Sequence, residues 1–254
     1  MLAVARISVA PVKGLGLVHP DEVELTLSGV ECDRRFHLVD RTGRLVNGKL
    51  TGALFGVRPR WKEEIGTLSL TFPDGTLVAD RVELGETIET NFYGRMVTGR
   101  VVSGPWAAAL SALAGIPLRL VQAQRPGDAA DRAAGVSLLT DGSLAELATR
   151  AGKSTIDGRR FRMTFELSGA TEHEEDGWIG GRVTIGGAGV EVLGPAGRCV
   201  VTTRDPDTGE SDLDTLRLLE GYRTLREGRS PAFGVVGAVT EPGVVRVGDP
   251  VVAA

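Results

Sequence analysis

Glycine recurs along the whole chain, and between the glycines lie short runs in which apolar and polar residues alternate. The 35 glycines are dispersed rather than clustered. That combination suits strands joined by tight turns and leaves little room for long helices. Glu22 to Val30 carries Val23, Leu25 and Leu27 at alternate positions. Phe36 and Leu38, then Leu68, Leu70 and Phe72, continue the same period. Pro73-Asp74-Gly75 predicts a hairpin turn before Leu77 and Val78. Further strands are expected over Met96 to Val102, Pro117 to Gln122, Phe161 to Leu167, Arg182 to Ile185, Val190 to Leu193, Cys199 to Thr203 and Val244 to Val247.

Helical signals are fewer. The Ala/Leu-rich stretch Pro105 to Ala114 stops at Gly115. Ser143 followed by Glu146 reads as a capping box opening Leu144 to Ala151, with Gly152 closing it. Leu213 to Glu227 places Leu216, Leu219 and Leu225 on one face. Gln124 to Ala134 is polar and reads as a connector, which predicts two domains, 1–120 and 121–254. Many strands and few helices predict a β-rich α+β protein containing a barrel, with peripheral helices.

With 254 residues, 42% of them hydrophobic, the chain can bury a substantial core. A net charge of -4 with dispersed charges argues against a general nucleic-acid binder. Met1 to Ala10 alternates rather than forming a signal peptide, and no apolar run would span a bilayer. The expectation is a cytoplasmic protein off the membrane, with Cys32 and Cys199 both free. No dinucleotide fingerprint, P-loop or metal-protease motif occurs, and His19, His37 and His173 lack metal-ligand spacing.

Several motifs follow one another in order. They are Pro11-Val12-Lys13-Gly14, Asp33-Arg34-Arg35-Phe36 and Ser143-Leu144-Ala145-Glu146-Leu147, then Arg160-Phe161-Arg162 and Glu175-Asp176-Gly177-Trp178. Gly197-Arg198-Cys199, Thr202-Thr203, Asp205-Pro206-Asp207-Thr208-Gly209, Phe233-Gly234 and Gly248-Asp249-Pro250 complete the series. The series resembles MOSC-domain proteins, with a MOSC N-terminal β-barrel-like domain ahead of the MOSC domain. Within that family it is similar to the amidoxime-reducing branch.

The resemblance implies an oxidoreductase with a molybdenum cofactor, molybdenum held by molybdopterin, that reduces N-hydroxylated small molecules to N–H compounds. Electrons would come from a separate donor protein of the ferredoxin, flavoprotein or cytochrome type. A monomer is expected. Pyridoxal phosphate is not, because the chain has no room for the cysteine-desulfurase-like domain that accompanies some MOSC domains. Two rivals stand beside this reading: a cofactor or sulfur carrier without turnover, and a binding module that has lost the cofactor.

By the resemblance Cys199 supplies the protein's sulfur to the metal, and a soft thiolate suits that role. The alternative is a small apolar residue at the start of a strand. Lys13, Arg35, Arg162, Arg198, Thr140 and Ser143 match positions near the cofactor. Arg and Lys suit its phosphate, and Arg198 pointing inward would act on the Cys199 thiol. Each has a plainer reading. Lys13 could be a solvated loop residue, Arg34 or Arg35 could pair with Asp33 or Asp40, and Ser143 could simply cap a helix. Arg160 and Arg162 would share a strand face, with the acidic cluster Glu172 to Asp176 as the alternative partner. His173, in that acidic loop, is expected in solvent, and Asp176 and Trp178 read as structural. The chain departs from the family pattern at Gly14, Asn47-Gly48-Lys49-Leu50, Thr164 and Gly197.

Overall fold

A computed structural model describes residues 1–125, 128, 135–223, 225–226 and 230–253. Most of the connector expected at 124–134 lies outside these residues. The protein is strand-rich, as the alternating runs require, and among the described residues it has three α-helices. These are α1 (Trp106–Ala114), α2 (Asp141–Arg150) and α3 (Thr215–Glu220).

The largest sheet runs in the order Ala3–Ile7, Phe165–Ser168, Val136–Thr140, Ser230–Glu241, Ala188–Gly197, Arg182–Ile185, Val251–Ala253. Val136–Thr140 and Phe165–Ser168 pair in parallel, joined through α2; the other neighbours are antiparallel. A bridge between Ala3 and Pro250, with Val251 N–H donating to Leu2 O at 3.0 Å, brings the two edges together and nearly closes the sheet into a barrel. Its interior is aliphatic, with Ile7, Leu25, Val183, Val190 and Val235 each buried around Phe165.

A second sheet, in the order Leu45–Val46, Phe36–Val39, Arg119–Ala123, Arg95–Ser103, Glu83–Phe92, carries a separate core. There α1 lays Trp106 and Leu110 against Leu68, Leu70, Phe36 and Leu120. Trp106 Nε1 donates to Leu68 O at 3.2 Å, so the indole is buried without an orphaned donor. The hairpin expected at Pro73-Asp74-Gly75 is present, between Thr67–Thr71 and Leu77–Arg81.

Four expectations need correction. Cys199 to Thr203 is not a strand: Cys199 precedes a 3-10 turn, Val200–Thr203. Phe161 to Leu167 is broken by Arg162 at φ 54, so the strand begins only at Phe165 and Arg160 and Arg162 share no face. Thr140, rather than Ser143, is the N-cap of α2, because its hydroxyl accepts from Ser143 N at 3.3 Å. The helix expected over 213–227 is confined to α3, since Leu225–Arg226 pairs with Pro231 and Ser230 as a strand; Glu227 lies outside the described residues. The 12-residue strand Ser230–Glu241 was not foreseen, because Pro231 to Val235 is buried on both sides and leaves no alternation to read there.

His37 lies inside the second sheet region, fully buried, with Nε2 3.0 Å from Thr90 Oγ1 and its ring edge-on to Phe92. Burial, with Lys13 nearby, pushes its pKa down to about 3. It is neutral in the fold and takes up a proton on unfolding, so stability falls as pH drops from about 6.5 toward 3 and is unaffected above that window. A loss of about 2 kcal/mol is expected by pH 5. Denaturant titrations of the parent and His37→Phe should show this slope shrinking in the variant; an equal slope in both would assign it elsewhere.

Gly52 and Gly209 cross so closely that a Cβ on either would overlap the other's carbonyl. Gly209 also sits at φ 73. Gly209→Ala is therefore expected to destabilise the protein by about 3 kcal/mol, read as a lowered denaturation midpoint at unchanged m-value.

Candidate functional site

The strand Ala188–Gly197 delivers Arg198 and Cys199 in succession, and successive side chains point opposite ways. Arg198 turns inward and is buried. Its Nε donates to Phe233 O at 2.8 Å and Nη1 to Phe161 O at 3.0 Å; Nη2 reaches Met163 Sδ at 2.8 Å. Cys199 is thereby turned outward as a free, exposed thiol. The turn after it is tied down, since Cys199 O accepts from Thr202 N and Thr202 Oγ1, both at 3.0 Å. Thr202 Oγ1 in turn bonds Thr215 Oγ1 at 2.7 Å, at the start of α3.

Because Arg198 grips Phe161 O, the residue after Phe161 is drawn to the same place. That residue is Arg162, whose Nη2 donates to Leu15 O at 2.7 Å and whose guanidinium lies 5.2 Å from the Phe55 ring. Burial pushes its pKa down to about 9, with Arg34 and Arg58 adding to the effect and Asp33 opposing it. The guanidinium remains charged at neutral pH, so the protein holds a half-buried cation with Arg34 and Arg58 as well as Asp33 nearby. Such an arrangement attracts an anion beyond the one that Asp33 supplies.

The loop Pro11 to Gly16 forms the hub of this region. Lys13 N–H donates to Phe36 O at 2.8 Å, and its ammonium lies 5.5 Å from the Phe92 ring. Gly14 has φ 92, and a Cβ there would come within 3.1 Å of Asn47 Cα, so the backbone passes tightly. Gly16 N–H donates to Val57 O at 2.9 Å, beside Arg58. Arg58 and Arg159 both pair with Asp207, which the Asp205-to-Gly209 turn presents. Asp205 shapes that turn by accepting from Asp207 N at 2.9 Å and Thr208 N at 2.8 Å.

The structure brings Arg162 to the hub loop that carries Lys13, and holds the turn bearing Cys199 to the neighbouring Phe161 through Arg198, whose guanidinium faces the Phe161 and Phe233 carbonyls rather than the thiol as expected. The other expected site residues face different partners. Of the adjacent pair, Arg34 is the one that reaches this region: Nη1 pairs with Asp33 and Nη2 donates to Arg162 O at 3.2 Å. Arg34 sits at φ 51, which turns it away from its neighbour. Arg35 donates to Ala123 O at 2.5 Å and, in the amide orientation that satisfies both groups, to the Gln122 side-chain oxygen at 2.8 and 3.2 Å. It lines a recess of about 200 Å³ with Gln122, Thr98 and Arg100.

Thr140 and Ser143 belong to a buried polar cluster. Each donates to the Glu175 carboxylate at 2.6 Å, and Glu175 has no exposed surface. Ser143 Oγ also lies 2.9 Å from His173 Nδ1. His173 is therefore not in solvent as expected; its ring packs against Tyr222 and Phe233. The acidic cluster does not hold Arg162: Glu175 faces these hydroxyls and Asp176 pairs with Arg223 at 2.7 Å. Trp178 is buried, in keeping with a structural part. A wider cleft of about 520 Å³ lies between Arg6, His19, Asp157, Arg159 and Glu166. Its charges are already paired with one another, Arg6 with Glu166 and Asp157, and Arg159 with Asp157, so it is not the better site.

Sequence reasoning missed Arg58, favoured Arg35 over Arg34, and gave Asp207 no partner. The Asp-Pro-Asp-Thr-Gly turn was noticed as a motif, but nothing local shows that Asp207 meets Arg58 and Arg159, which lie far off in sequence.

Comparison with known proteins bears on this region. A family model described as "MOSC domain" matches residues 126–252, and one described as "MOSC N-terminal beta barrel domain" matches residues 1–101. The human mitochondrial amidoxime-reducing component 1 is 27% identical over 280 residues, covering 98% of this chain and 82% of that protein. The human mitochondrial amidoxime reducing component 2 is 38% identical over 121 residues, covering 45% of this chain and 35% of that protein. Among solved structures, the YUAD protein from Bacillus subtilis aligns over 99% of this chain and 94% of its own, at 14% identity and a TM-score of 0.46.

A half-buried Arg162 that attracts an anion makes a measurable statement. Inorganic phosphate near ten times its dissociation constant should raise the Tm of cofactor-free protein by about 4 °C. Arg162→Gln should lose most of that increment. A parent whose Tm is indifferent to phosphate would remove the anion attraction.

Proposed function

Because this chain belongs to the MOSC domain family, we propose that it is a molybdenum-cofactor oxidoreductase that reduces N-hydroxylated small molecules. The observation that carries the reading is Cys199: a free, exposed thiol on a braced turn that Arg198 ties to the carbonyl of Phe161, the residue before Arg162. A thiolate at that position suits a thiophilic metal. The relatives named for amidoxime reduction support the substrate class, at an identity of 27% for the match that spans 98% of the chain.

The residues present fit such a cofactor. Cys199 would offer its sulfur to the metal, and Arg162, Arg34 and Lys13 would face its phosphate. When bound, the cofactor supplies two-electron oxygen-atom transfer. The chain's own part is to hold and orient. Arg198 fixes the direction of Cys199, Thr202 and Thr215 fix the turn, and Arg162 presents a charge that water does not fully solvate. Thr140 and Ser143 act at one remove, by holding Glu175 and the start of α2. Arg35 shapes the recess beside Gln122.

Electrons would come from a ferredoxin-, flavoprotein- or cytochrome-type donor, since the two cysteines of these 254 residues cannot hold a four-cysteine iron–sulfur cluster. A reducing cytoplasm, in which an exposed thiol stays reduced, is the setting we propose. An exposed thiol would also serve a carrier that hands on cofactor or sulfur. Turnover separates the two, because a carrier binds metal without it.

The test is elemental analysis of protein made in a molybdenum-cofactor-competent host. Near-stoichiometric molybdenum is expected in the parent and less than a tenth of that in Cys199→Ala, with N-hydroxylated substrates reduced by the parent in the presence of an artificial electron donor. Equal molybdenum in both proteins would rule out thiolate ligation, and bound molybdenum without turnover would leave the carrier.

A further inference from the structure

The hairpin between Glu83–Phe92 and Arg95–Ser103 turns through Tyr93 and Gly94, both at positive φ, 54 and 100. Turns of this kind favour Asn-Gly or Gly-Gly, because a bulky side chain is strained there. Tyr93 has no burial to offset the strain: it is 65% exposed. Turn geometry therefore does not explain why a tyrosine occupies the position, and strain of this kind points to a use for the side chain.

The ring is exposed but held. Its hydroxyl accepts from Asn47 Nδ2 at 2.7 Å, and the Lys49 ammonium lies over it, 4.4 Å from the centroid. Asn47 is itself fixed, since Oδ1 accepts from Lys49 N at 3.0 Å and its carbonyl from Leu50 N at 2.9 Å. Lys49 takes one face of the ring and leaves the other to solvent. Gly48, next to Asn47, packs on the Phe55 ring, which lies 5.2 Å from the Arg162 guanidinium, so the held ring stands near that cation. Phe92, its neighbour in the chain, lies beneath Lys13, and Asn47 packs on Gly14 of the hub loop. The apolar side chains of Leu50 and Met96 are also exposed, at 66% and 52%.

Resting on the reductase reading above, we propose that Tyr93 determines specificity by stacking the planar aryl group of N-hydroxylated substrates, with Asn47 and Lys49 as its positioning residues. An immobilised aromatic ring with a free face gives a planar ligand contact area at little entropic cost. A small alkyl hydroxylamine has no ring to place there, so the platform favours aryl compounds over their alkyl counterparts.

The experiment compares kcat/KM for an aryl hydroxylamine and for methylhydroxylamine, using molybdenum-loaded parent, Tyr93→Ala and Tyr93→Phe with an artificial electron donor. Tyr93→Ala should lower the aryl-to-alkyl ratio by about 3- to 10-fold, mainly through KM of the aryl substrate. Tyr93→Phe, which keeps the ring and the Lys49 contact, should retain most of the ratio. Equal molybdenum content in the three proteins shows that the site is intact. An unchanged ratio in Tyr93→Ala overturns the inference while leaving the reductase reading in place. A parent that reduces neither compound overturns that reading and the inference with it.

Discussion

The Arg198 guanidinium sits where water does not reach and donates to the carbonyls of Phe161 and Phe233. A buried cation needs its donors satisfied, and these carbonyls satisfy it. Three consequences follow from this one anchoring. Cys199, the next residue, must face outward. The 3-10 turn that contains Phe161 is held against the turn that follows Cys199. Phe233, on the long central strand of the barrel, ties both turns to the core. The exposed thiol thus stands on rigid support, although it lies in irregular backbone.

Around that anchor the connecting loops meet by close backbone contact rather than by large side chains. Gly52 meets Gly209, and Gly14 passes Asn47. Where the backbones approach so closely, the surrounding charges settle into fixed positions. Asp207 is shared by Arg58 and Arg159, and Arg34 leans on the carbonyl of Arg162. The result is a region rich in fixed cations, in a protein whose overall net charge is -4. Local charge here opposes global charge, which separates a binding function from a general electrostatic one.

That local concentration has an energetic cost. Arg162 would be better solvated outside, and its position at φ 54 is itself uncommon for a side chain of that size. The buried His37 and the strained Tyr93 add to the same account, one in the core behind Lys13 and one on an exposed turn. Backbone strain and burial of charge coincide at Arg162, while the barrel interior is largely aliphatic packing.

The sequence by itself determined the strand-rich architecture, the Pro73-Asp74-Gly75 hairpin and the end of α1 at Gly115, because alternation, turn residues and helix stops are local signals. It also singled out Cys199 and Arg162, through motifs whose order along the chain is legible without coordinates. It did not show that Arg34 rather than Arg35 faces Arg162, since neighbouring residues are told apart only by a backbone angle. Nor did it show that Thr140 and Ser143 close on Glu175, or that His173 leaves the solvent to pack on Phe233. The strand Ser230–Glu241 escaped notice because Pro231 to Val235, buried on both faces, leaves no alternation to read there. Tertiary structure decided these points, because each depends on which distant group meets a side chain. Local propensity fixes a residue's own conformation, whereas its partner is set by how the sheets close.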